Sequence, residues 1–273
     1  MKNLQHYVAA NLTSGIKTGF VPTMGALHAG HISLIETAKE ENEFVYCSIF
    51  VNPTQFNNAV DLQKYPVTLE ADIDLLEKTD CNLLFLPAVA DMYPTGEIKK
   101  HYELGNLENI LEGFYRPGHF QGVCMIVDKL LSLMRANTLY LGSKDYQQCM
   151  VIKKMMVERY STTQLRIGDT LREINGLAMS SRNMRLSAEE KEQAVGIIEC
   201  LNFIRDHIRP GNLNDLKKEA VYFLKNKGFK PDYAEIADAE TLELINVWNG
   251  KTKAVALVAA YLGDVRLIDN IIL

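Results

Sequence analysis

Residues 18–31 read Thr-Gly-Phe-Val-Pro-Thr-Met-Gly-Ala-Leu-His-Ala-Gly-His. The first four residues are typical of a β-strand, and Pro22, which has no N–H, is expected to end the strand pairing. A helix is predicted from about Gly30, because apolar residues recur there at helical spacing with charged residues on the opposite face. The stretch therefore predicts a strand–turn–helix unit with His28 and His31 at the helix entrance.

The same alternation continues through the first two thirds of the chain. Apolar runs alternate with segments of helical period, which is typical of βα units on a parallel sheet. Further strands are predicted over residues 44–51, 82–86, 138–141 and 164–167, and further helices over 68–78, 123–135 and 145–160. We expect an α/β domain with a parallel sheet over residues 1–169.

The pattern changes after about Gly168 to two helices followed by strands, which predicts a smaller C-terminal α+β domain over residues 170–273. Ser187 and Glu190 fit a capping box that opens a helix to about Ile208, and a second helix is expected to end at Gly228. Strands are predicted over residues 231–236, 254–262 and 265–268. The absence of an internal repeat excludes a solenoid.

The composition of the 273 residues, 47% apolar and 23% charged, is that of a well-packed globular protein. A net charge of −5 argues against nucleic acid or an acidic membrane surface as the main partner. The five cysteines form no C-x-x-C pair, so a reducing compartment is expected. Because neither a secretory h-region nor an apolar run of about 20 residues is present, we expect a cytoplasmic protein.

The turn between the first strand and its helix has the features of an anion site. Ligands of open α/β sheets bind at the carboxyl ends of the strands, where a helix N-terminus offers free N–H groups. Gly25 and Gly30 let the backbone approach a phosphate, and His28 and His31 direct two imidazoles at it. This predicts nucleotidyl transfer at an α-phosphate. An isolated H-x-G-H fits helix capping about as well, whereas a zinc pair is disfavoured because no further ligand stands at suitable spacing.

A second strand-to-helix junction carries Lys144, Asp145 and Gln148. The lysine can pair with a phosphate, the aspartate can cap the following helix, and Gln148 lies on the same face one turn later. A solvated loop would have the same composition.

A third polar segment, Ser180-Ser181-Arg182, follows the predicted domain boundary. Hydroxyl and guanidinium donors suit phosphate oxygens, so this segment is a candidate lid, although taken alone it would be an ordinary polar loop.

Two further stretches are suited to a small polar substrate. Asn52 and Gln55 follow a central strand and offer neutral amides to hydroxyl or carbonyl oxygens. Arg116 and His119 lie in a turn-rich loop and could bind a carboxylate or a phosphate. Strand-end capping and a surface turn are the alternatives.

Seven motifs together resemble the pantothenate synthetase family, in the same order and over essentially the whole chain. They lie at residues 21–28, 28–31, 48–56, 116–120, 144–148, 180–183 and 258–270. The resemblance implies a Rossmann-like nucleotidyltransferase domain, a smaller C-terminal lid domain and a homodimer. It also implies that ATP and Mg²⁺ activate (R)-pantoate as pantoyl adenylate, and that β-alanine displaces AMP to give pantothenate.

The resemblance also implies roles for individual residues. By the family pattern the nucleotide would contact Met24, Gly25, Ala26, Leu27, His28, Ala29, Gly30, His31, Gly142, Ser143, Lys144, Asp145, Leu171, Met179, Ser180, Ser181 and Arg182. His28, His31, Lys144 and Arg182 are expected to be catalytic, with His31 as a proton donor. Gln55 and Gln148 would hold pantoate, with Asn52 and Arg116 as further substrate contacts, and Asp72 is the candidate Mg²⁺ ligand.

This chain departs from the family pattern at three places. Ser143 stands where the family often has Glu, Met179 stands where it often has Leu, and the segment before Val21 is shorter than usual. Neither substitution removes a phosphate-binding charge, so we expect only local changes in the loops. The short N-terminus could alter an edge or a dimer contact.

Other functions use the same helix entrance. Another H-x-G-H nucleotidyltransferase and a non-catalytic ATP-binding protein remain open, whereas a tRNA ligase would need a large basic region that this chain lacks. A dinucleotide-dependent dehydrogenase is disfavoured, because no G-x-G-x-x-G follows the first strand.

Overall fold

The structure is a computed structural model that describes Val8, residues 15–96 and residues 100–273. Most of the short N-terminal segment lies outside the described residues. The chain forms two compact units. The first holds the described residues up to Ser143 together with Val151–Asp169, and the second holds Lys144–Met150 and Thr170–Leu273. The domain bounds 1–169 and 170–273 stay a prediction, and in this structure residues 144–150 group with the C-terminal part.

The first unit is built on a parallel sheet of five strands in the order β3-β2-β1-β4-β5. The strands are β1 Thr18–Thr23, β2 Phe44–Ile49, β3 Leu83–Phe85, β4 Thr138–Gly142 and β5 Gln164–Gly168. This order reverses the direction of the crossovers beside β1, and such a switch point is where ligands of doubly wound sheets bind. The predicted α/β fold with a Rossmann-like parallel sheet is confirmed.

Seven helices of the described residues follow or connect these strands. They are α1 Ala29–Glu41, α2 Ala59–Gln63, α3 Leu69–Leu76, α4 Val89–Met92, α5 Glu112–Tyr115, α6 His119–Met134 and α7 Tyr146–Arg159. Three 3₁₀ turns cover Pro53–Gln55, Gly105–Glu108 and Ser143–Asp145. The four long predicted helices are confirmed, whereas the short helices α2, α4 and α5 were not predicted.

Several boundaries differ from the predictions by a few residues, among them the end of β10 at Ile272, and two of the differences have a local physical reason. Pro22 does not end β1, since the strand continues to Thr23 and Pro22 pairs in register with Ser48 of β2. Pairing of β1 with β4 covers Gly19 and Phe20, so the missing N–H of Pro22 falls beyond that ladder. Helix α6 begins four residues earlier than predicted, because Gly118 at its N-cap adopts φ +79° and turns the chain into the helix.

The second unit packs helices on an antiparallel sheet. Three strands run in the order β10-β9-β7, and two short strands pair separately as β6 with β8. The elements are α8 Ala188–Ala194, α9 Gly196–His207, β6 Gly211–Asn212, α10 Asn214–Asn226, β7 Lys230–Asp238, β8 Val247–Trp248, β9 Ala254–Leu262 and β10 Val265–Ile272. The predicted α+β class is confirmed, as is the capping box of Ser187 with Glu190. The predicted single helix to Ile208 is wrong, because Val195 separates α8 from α9.

Each unit has its own apolar core. In the first, Val21 and Val45 of the sheet pack with Ile35 of α1 and Leu76 of α3. In the second, α9 packs on β9 and β10, and α10 packs on β7 and on α9. All five cysteines are thiols outside any disulfide, and four of them are buried. Within the described part of the chain, none of the helices combines the length and the apolar character that crossing a membrane requires.

One buried carboxylate organises a network of polar side chains in the first unit. Asp128 of α6 is 2% exposed. It accepts hydrogen bonds from four side-chain donors: Lys100 Nζ at 2.9 Å, Tyr102 Oη at 2.8 Å, Arg159 Nε at 3.0 Å and Tyr160 Oη at 2.6 Å. Burial acts to raise the pKa of Asp128, but these donors outweigh it and hold the pKa below its ordinary value.

Candidate active site

The turn from β1 into α1 places the two predicted histidines at the carboxyl edge of the sheet. His28 is the N-cap of α1, with extended backbone, and the helix starts at Ala29. The rings of His28 and His31 lie side by side, with centroids 4.0 Å apart. The prediction that both histidines stand at the helix entrance is confirmed.

Both imidazoles accept a backbone hydrogen bond through Nδ1. The Gly30 N–H donates to His28 Nδ1 at 3.2 Å, and the His28 N–H donates to His31 Nδ1 at 3.3 Å. A ring nitrogen that accepts an N–H carries no proton, so in the neutral rings the proton lies on Nε2. Capping and anion binding are therefore compatible, because Nδ1 serves the helix while Nε2–H remains a donor.

The loop between strand and helix has an unusual backbone. Gly25 has φ +80° and Ala26 has φ +49°, and a left-handed conformation is costly for alanine. The side chains of Ala26 and Leu27 are buried, and their backbone N–H groups both donate to Asp72. Ala29 and Gly30 stand on the accessible first turn of α1.

Asp72 of α3 binds the backbone of this loop. Its Oδ2 accepts the Ala26 N–H at 2.9 Å, and its Oδ1 accepts the Leu27 N–H at 2.8 Å and the Thr68 hydroxyl at 3.0 Å. The side chain is 2% exposed. The expectation that Asp72 ligates Mg²⁺ stays a prediction, but both of its oxygens are engaged by the protein.

Gln55 lies in a network of neutral polar groups after β2. Asn52 Nδ2 donates to Gln55 Oε1 at 3.1 Å and to the Gly122 carbonyl at 3.1 Å, and Gln55 Nε2 contacts Met24 Sδ at 2.8 Å. The hydroxyl of Tyr93 donates to Asn52 Oδ1 at 2.7 Å. The structure therefore brings the predicted substrate residue Gln55 next to Met24 of the predicted nucleotide loop.

Arg116 and His119 support Gln55 through its backbone. His119 Nδ1 lies 2.7 Å from the Gln55 carbonyl oxygen, and Arg116 Nη2 donates to the same oxygen at 3.4 Å. Arg116 also pairs with Glu112 at 3.5 Å. Arg116 is mostly buried among these groups, so the contacts in this structure favour a positioning role over the predicted substrate contact.

Gly142 ends β4, the strand beside β1, and Ser143 directly follows it, so both lie at the same edge of the sheet. A side chain at position 142 would meet only Leu34 Cδ1, at an ordinary 3.8 Å, so packing does not require glycine there.

The other predicted nucleotide residues belong to the second unit. Lys144, Asp145 and Gln148 lie around the start of α7, and the Lys144 carbonyl accepts a hydrogen bond from Asn270 Nδ2 at 2.8 Å. Asn270 is also held at its backbone, because its N–H donates to Asp269 Oδ1 at 2.8 Å.

Residues 170–183 form a hairpin-like turn that leads into a 3₁₀ helix. The Met179 N–H donates to the Leu171 carbonyl at 3.0 Å, which brings these two predicted residues together. Ser180 caps the 3₁₀ helix Ser181–Arg185 by accepting the Arg182 N–H at 3.2 Å. Ser181 is buried and Arg182 half-buried, so the predicted phosphate segment is an ordered turn.

Several residues that contact Asn52 or Asp72 were not predicted from the sequence. Tyr93 and Gly122 lie 41 and 70 positions from Asn52, so their contacts with it appear only in the folded chain. Thr68 lies four positions before Asp72 at the start of α3, and helical spacing could have indicated that contact. Asn270 was part of a recognised motif, but nothing in the motif indicates that it would bond the Lys144 backbone.

Comparison with known proteins gives a consistent result. The family model described as pantoate-beta-alanine ligase matches residues 1–272. The pantothenate synthetase of Cytophaga hutchinsonii is 42% identical, covering 100% of this chain and 97% of that protein, and the one from Xylella fastidiosa is 42% identical, covering 99% and 97%.

Solved structures agree in fold as well. Pantothenate synthetase from Thermus thermophilus superposes with a TM-score of 0.87 at 37% identity, covering 98% of this chain and 96% of that one. Pantoate-beta-alanine ligase from Francisella tularensis, complexed with beta-gamma ATP and beta-alanine, gives 0.80 at 41% identity, covering 99% and 94%. With sequence motifs, sheet order and whole-length similarity in agreement, this chain belongs to the pantoate–β-alanine ligase family.

Proposed function

We propose that this chain condenses (R)-pantoate with β-alanine at the expense of ATP. A pantoate carboxylate oxygen attacks the α-phosphorus, and the bond from that phosphorus to the bridging oxygen of pyrophosphate breaks. The amine of β-alanine then attacks the acyl carbon of pantoyl adenylate. The bond to AMP breaks, the nitrogen loses a proton to solvent, and pantothenate is formed.

The observation that carries the proposal is the paired cap of His28 and His31. Two Nε2–H groups beside the N-terminus of α1 can donate to oxygens around an α-phosphate, where negative charge grows during the attack. Because the Nδ1 atoms are held by backbone N–H groups, the donors are oriented before the nucleotide arrives. Lys144 and Arg182 of the second unit are the proposed cationic contacts.

Gln55 is the proposed pantoate contact in the first unit, with Gln148 as its counterpart in the second. Asn52 fixes the Gln55 amide, and His119 and Arg116 fix its carbonyl oxygen. A neutral amide suits the hydroxyl and carboxylate oxygens of pantoate, since it can donate and accept. Within this unit we assign to Gln55 the role of orienting the carboxylate toward the phosphorus.

The described residues do not fit a metal site built by the protein. They contain no group of three or more His, Cys, Asp or Glu side chains that could hold a metal ion, and the Asp72 oxygens accept protein N–H and O–H groups. Magnesium would be bound mainly by phosphate oxygens and water, as is common for Mg²⁺. Homodimer formation, a cytoplasmic location and a lid role for residues 170–273 also belong to the proposal and rest on the family.

The test separates the two half-reactions. Pantoate-dependent exchange between ATP and pyrophosphate measures adenylation, and β-alanine-dependent release of AMP measures the second step. Exchange with another acid and none with pantoate would refute the substrate. ATP binding without any exchange would favour a non-catalytic nucleotide-binding protein.

Two substitutions at one position examine the role of the histidine cap. His28→Asn keeps an N-cap acceptor and removes the Nε2–H donor, whereas His28→Ala removes both. We expect His28→Asn to keep the wild-type melting temperature and to lose about 10²-fold in exchange rate, the usual effect of removing one transition-state donor. Exchange near the wild-type rate in His28→Asn would refute the assignment.

A further inference from the structure

The segment 24–28 adopts a shape that its own residues do not favour. Ala26 has a left-handed backbone, at φ +49°, and it follows Gly25 at φ +80°. In this turn the N–H groups of Ala26 and Leu27 point to the same place, and converging N–H groups of a turn attract an anion. The left-handed conformation is costly for alanine, and hydrogen bonds to these N–H groups offset that cost.

The anion in that concave surface is the Asp72 carboxylate. Each of its oxygens accepts one backbone N–H, from Ala26 at 2.9 Å and from Leu27 at 2.8 Å. A Cβ at position 25 would lie 3.0 Å from Asp72 Oδ2, so the loop and the carboxylate are in close contact. Charge-assisted hydrogen bonds of this length are roughly twice as strong as neutral ones.

The carboxylate is itself held in position. The Thr68 hydroxyl donates to Oδ1 at 3.0 Å, and the Asp72 N–H donates to the Thr68 carbonyl at 2.9 Å within the first turn of α3. The side chain is almost wholly buried, so its orientation is set by the protein. Helix α3 therefore positions the backbone of the residue that directly precedes His28.

We propose that Asp72 is a positioning residue for the loop of residues 24–28 rather than a metal ligand. By holding Ala26 and Leu27 it fixes where His28 caps α1 and hence where both imidazole Nε2–H groups point. This inference rests on the proposed adenylation function, and it assigns the buried carboxylate to transition-state geometry in that step.

Matched pairs of variants test the inference. Asp72→Asn replaces one acceptor oxygen by an NH₂ group that faces a backbone N–H, and Asp128→Asn makes the same substitution at an equally buried carboxylate of the same unit. Thr68→Val and Tyr160→Phe each remove one hydroxyl donor from these carboxylates. The measurements are kcat and KM in pantoate-dependent pyrophosphate exchange, melting temperature, and the dependence of the rate on Mg²⁺ concentration.

We expect Asp72→Asn to lower kcat about 10²-fold, as displacement of catalytic groups by about 1 Å can do, with an unchanged Mg²⁺ dependence. Thr68→Val should lower kcat about 5-fold, the equivalent of one ordinary hydrogen bond. Asp128→Asn and Tyr160→Phe should lower the melting temperature while kcat at 25 °C stays near wild type. If Asp72→Asn fails to fold, the comparison of Thr68→Val with Tyr160→Phe decides.

Three results would overturn the inference. One is a wild-type kcat in Asp72→Asn or, if that variant is unfolded, in Thr68→Val. Another is recovery of the Asp72→Asn rate at high Mg²⁺, which would make Asp72 a metal ligand. The third is a loss of kcat in the Asp128 pair equal to that in the Asp72 pair. Failure of the proposed function is distinct, since the wild-type chain would then show no pantoate-dependent exchange.

Discussion

At Gly122, helix α6 lies so close to the backbone of Thr54 and Gln55 that one added methyl group should impair activity more than stability. A Cβ at this position would lie 2.2 Å from the Thr54 carbonyl oxygen and 2.8 Å from the Gln55 nitrogen. These are backbone atoms, which cannot rotate away. Restoring an ordinary separation requires the helix and the segment to move apart by about 1 Å.

The energetic terms have opposite signs for stability. Alanine favours a helix interior over glycine by about 1 kcal/mol, whereas overpacking costs about 1–3 kcal/mol, so the net loss is about 0–2 kcal/mol. At about 2–4 °C per kcal/mol for a chain of this size, the melting temperature should fall by less than about 10 °C. Displacement of Gln55 by about 1 Å can cost about 10²-fold in catalytic efficiency.

Gly122→Ala should therefore lose far more kcat/KM for pantoate than its stability loss explains. Gly113→Ala is the matched control, because its Cβ would lie 2.3 Å from the Glu108 carbonyl oxygen, a similar backbone clash at the start of α5. Thermal denaturation and steady-state kinetics at 25 °C measure both effects. Equal losses of kcat/KM in the two variants, or wild-type kinetics in Gly122→Ala, would refute the reasoning.

Three further outcomes are expected. Because the pKa of Asp128 is lower in the folded chain than in the unfolded chain, where it is about 4, ionised Asp128 stabilises the fold above that pH, and this stabilisation is lost as the pH falls through the folded pKa. Asp128→Asn should therefore flatten the decline of melting temperature between about pH 5 and pH 2. Burial and the hydrogen bond to Glu41 raise the pKa of Tyr140 to about 12. The stabilisation of the fold by the neutral phenol is therefore fully present below about pH 10 and is lost toward pH 12, and Tyr140→Phe should show a shallower decline of melting temperature at alkaline pH. Asn270→Ala removes the donor to the Lys144 carbonyl and should lower kcat for exchange about 5-fold with a melting temperature near wild type, and an unchanged kcat would contradict this.

The long elements of the fold could be predicted because their pattern is local. The strand Ala254–Leu262 has its predicted bounds, and α1 starts one residue from its predicted position. The short helices α2 and α5 could not be predicted, since four or five residues carry too little periodicity and depend on their surroundings. The break at Val195 also depends on contacts with distant residues. Gly196 begins α9 where a Cβ would lie 2.8 Å from the Phe229 ring, a contact that no local pattern reports.

The candidate site was predictable in its residue types and less so in their roles. A glycine-containing turn before a helix indicates anion binding, and His28 and His31 lie where that pattern expects them. The partner of Asp72 lies 46 positions away, so its contact with Ala26 could not be inferred from spacing. Arg116 has a charge suited to a substrate, but the backbone of Gln55 lies within its reach. Charge indicates what a residue can bind, while the fold selects the partner.

The capping bonds of His28 and His31 also determine which ligands this surface can admit. Because both Nδ1 atoms accept backbone N–H groups, neither ring can offer its Nδ1 lone pair to a ligand, and the proton of each neutral ring lies on Nε2. A primary amine or a divalent cation therefore finds no acceptor at Nδ1, whereas a sulfonyl, carboxylate or phosphate oxygen can accept a hydrogen bond from an N–H donor. Inhibitors built for this end of the site should therefore carry acceptor groups rather than cationic ones.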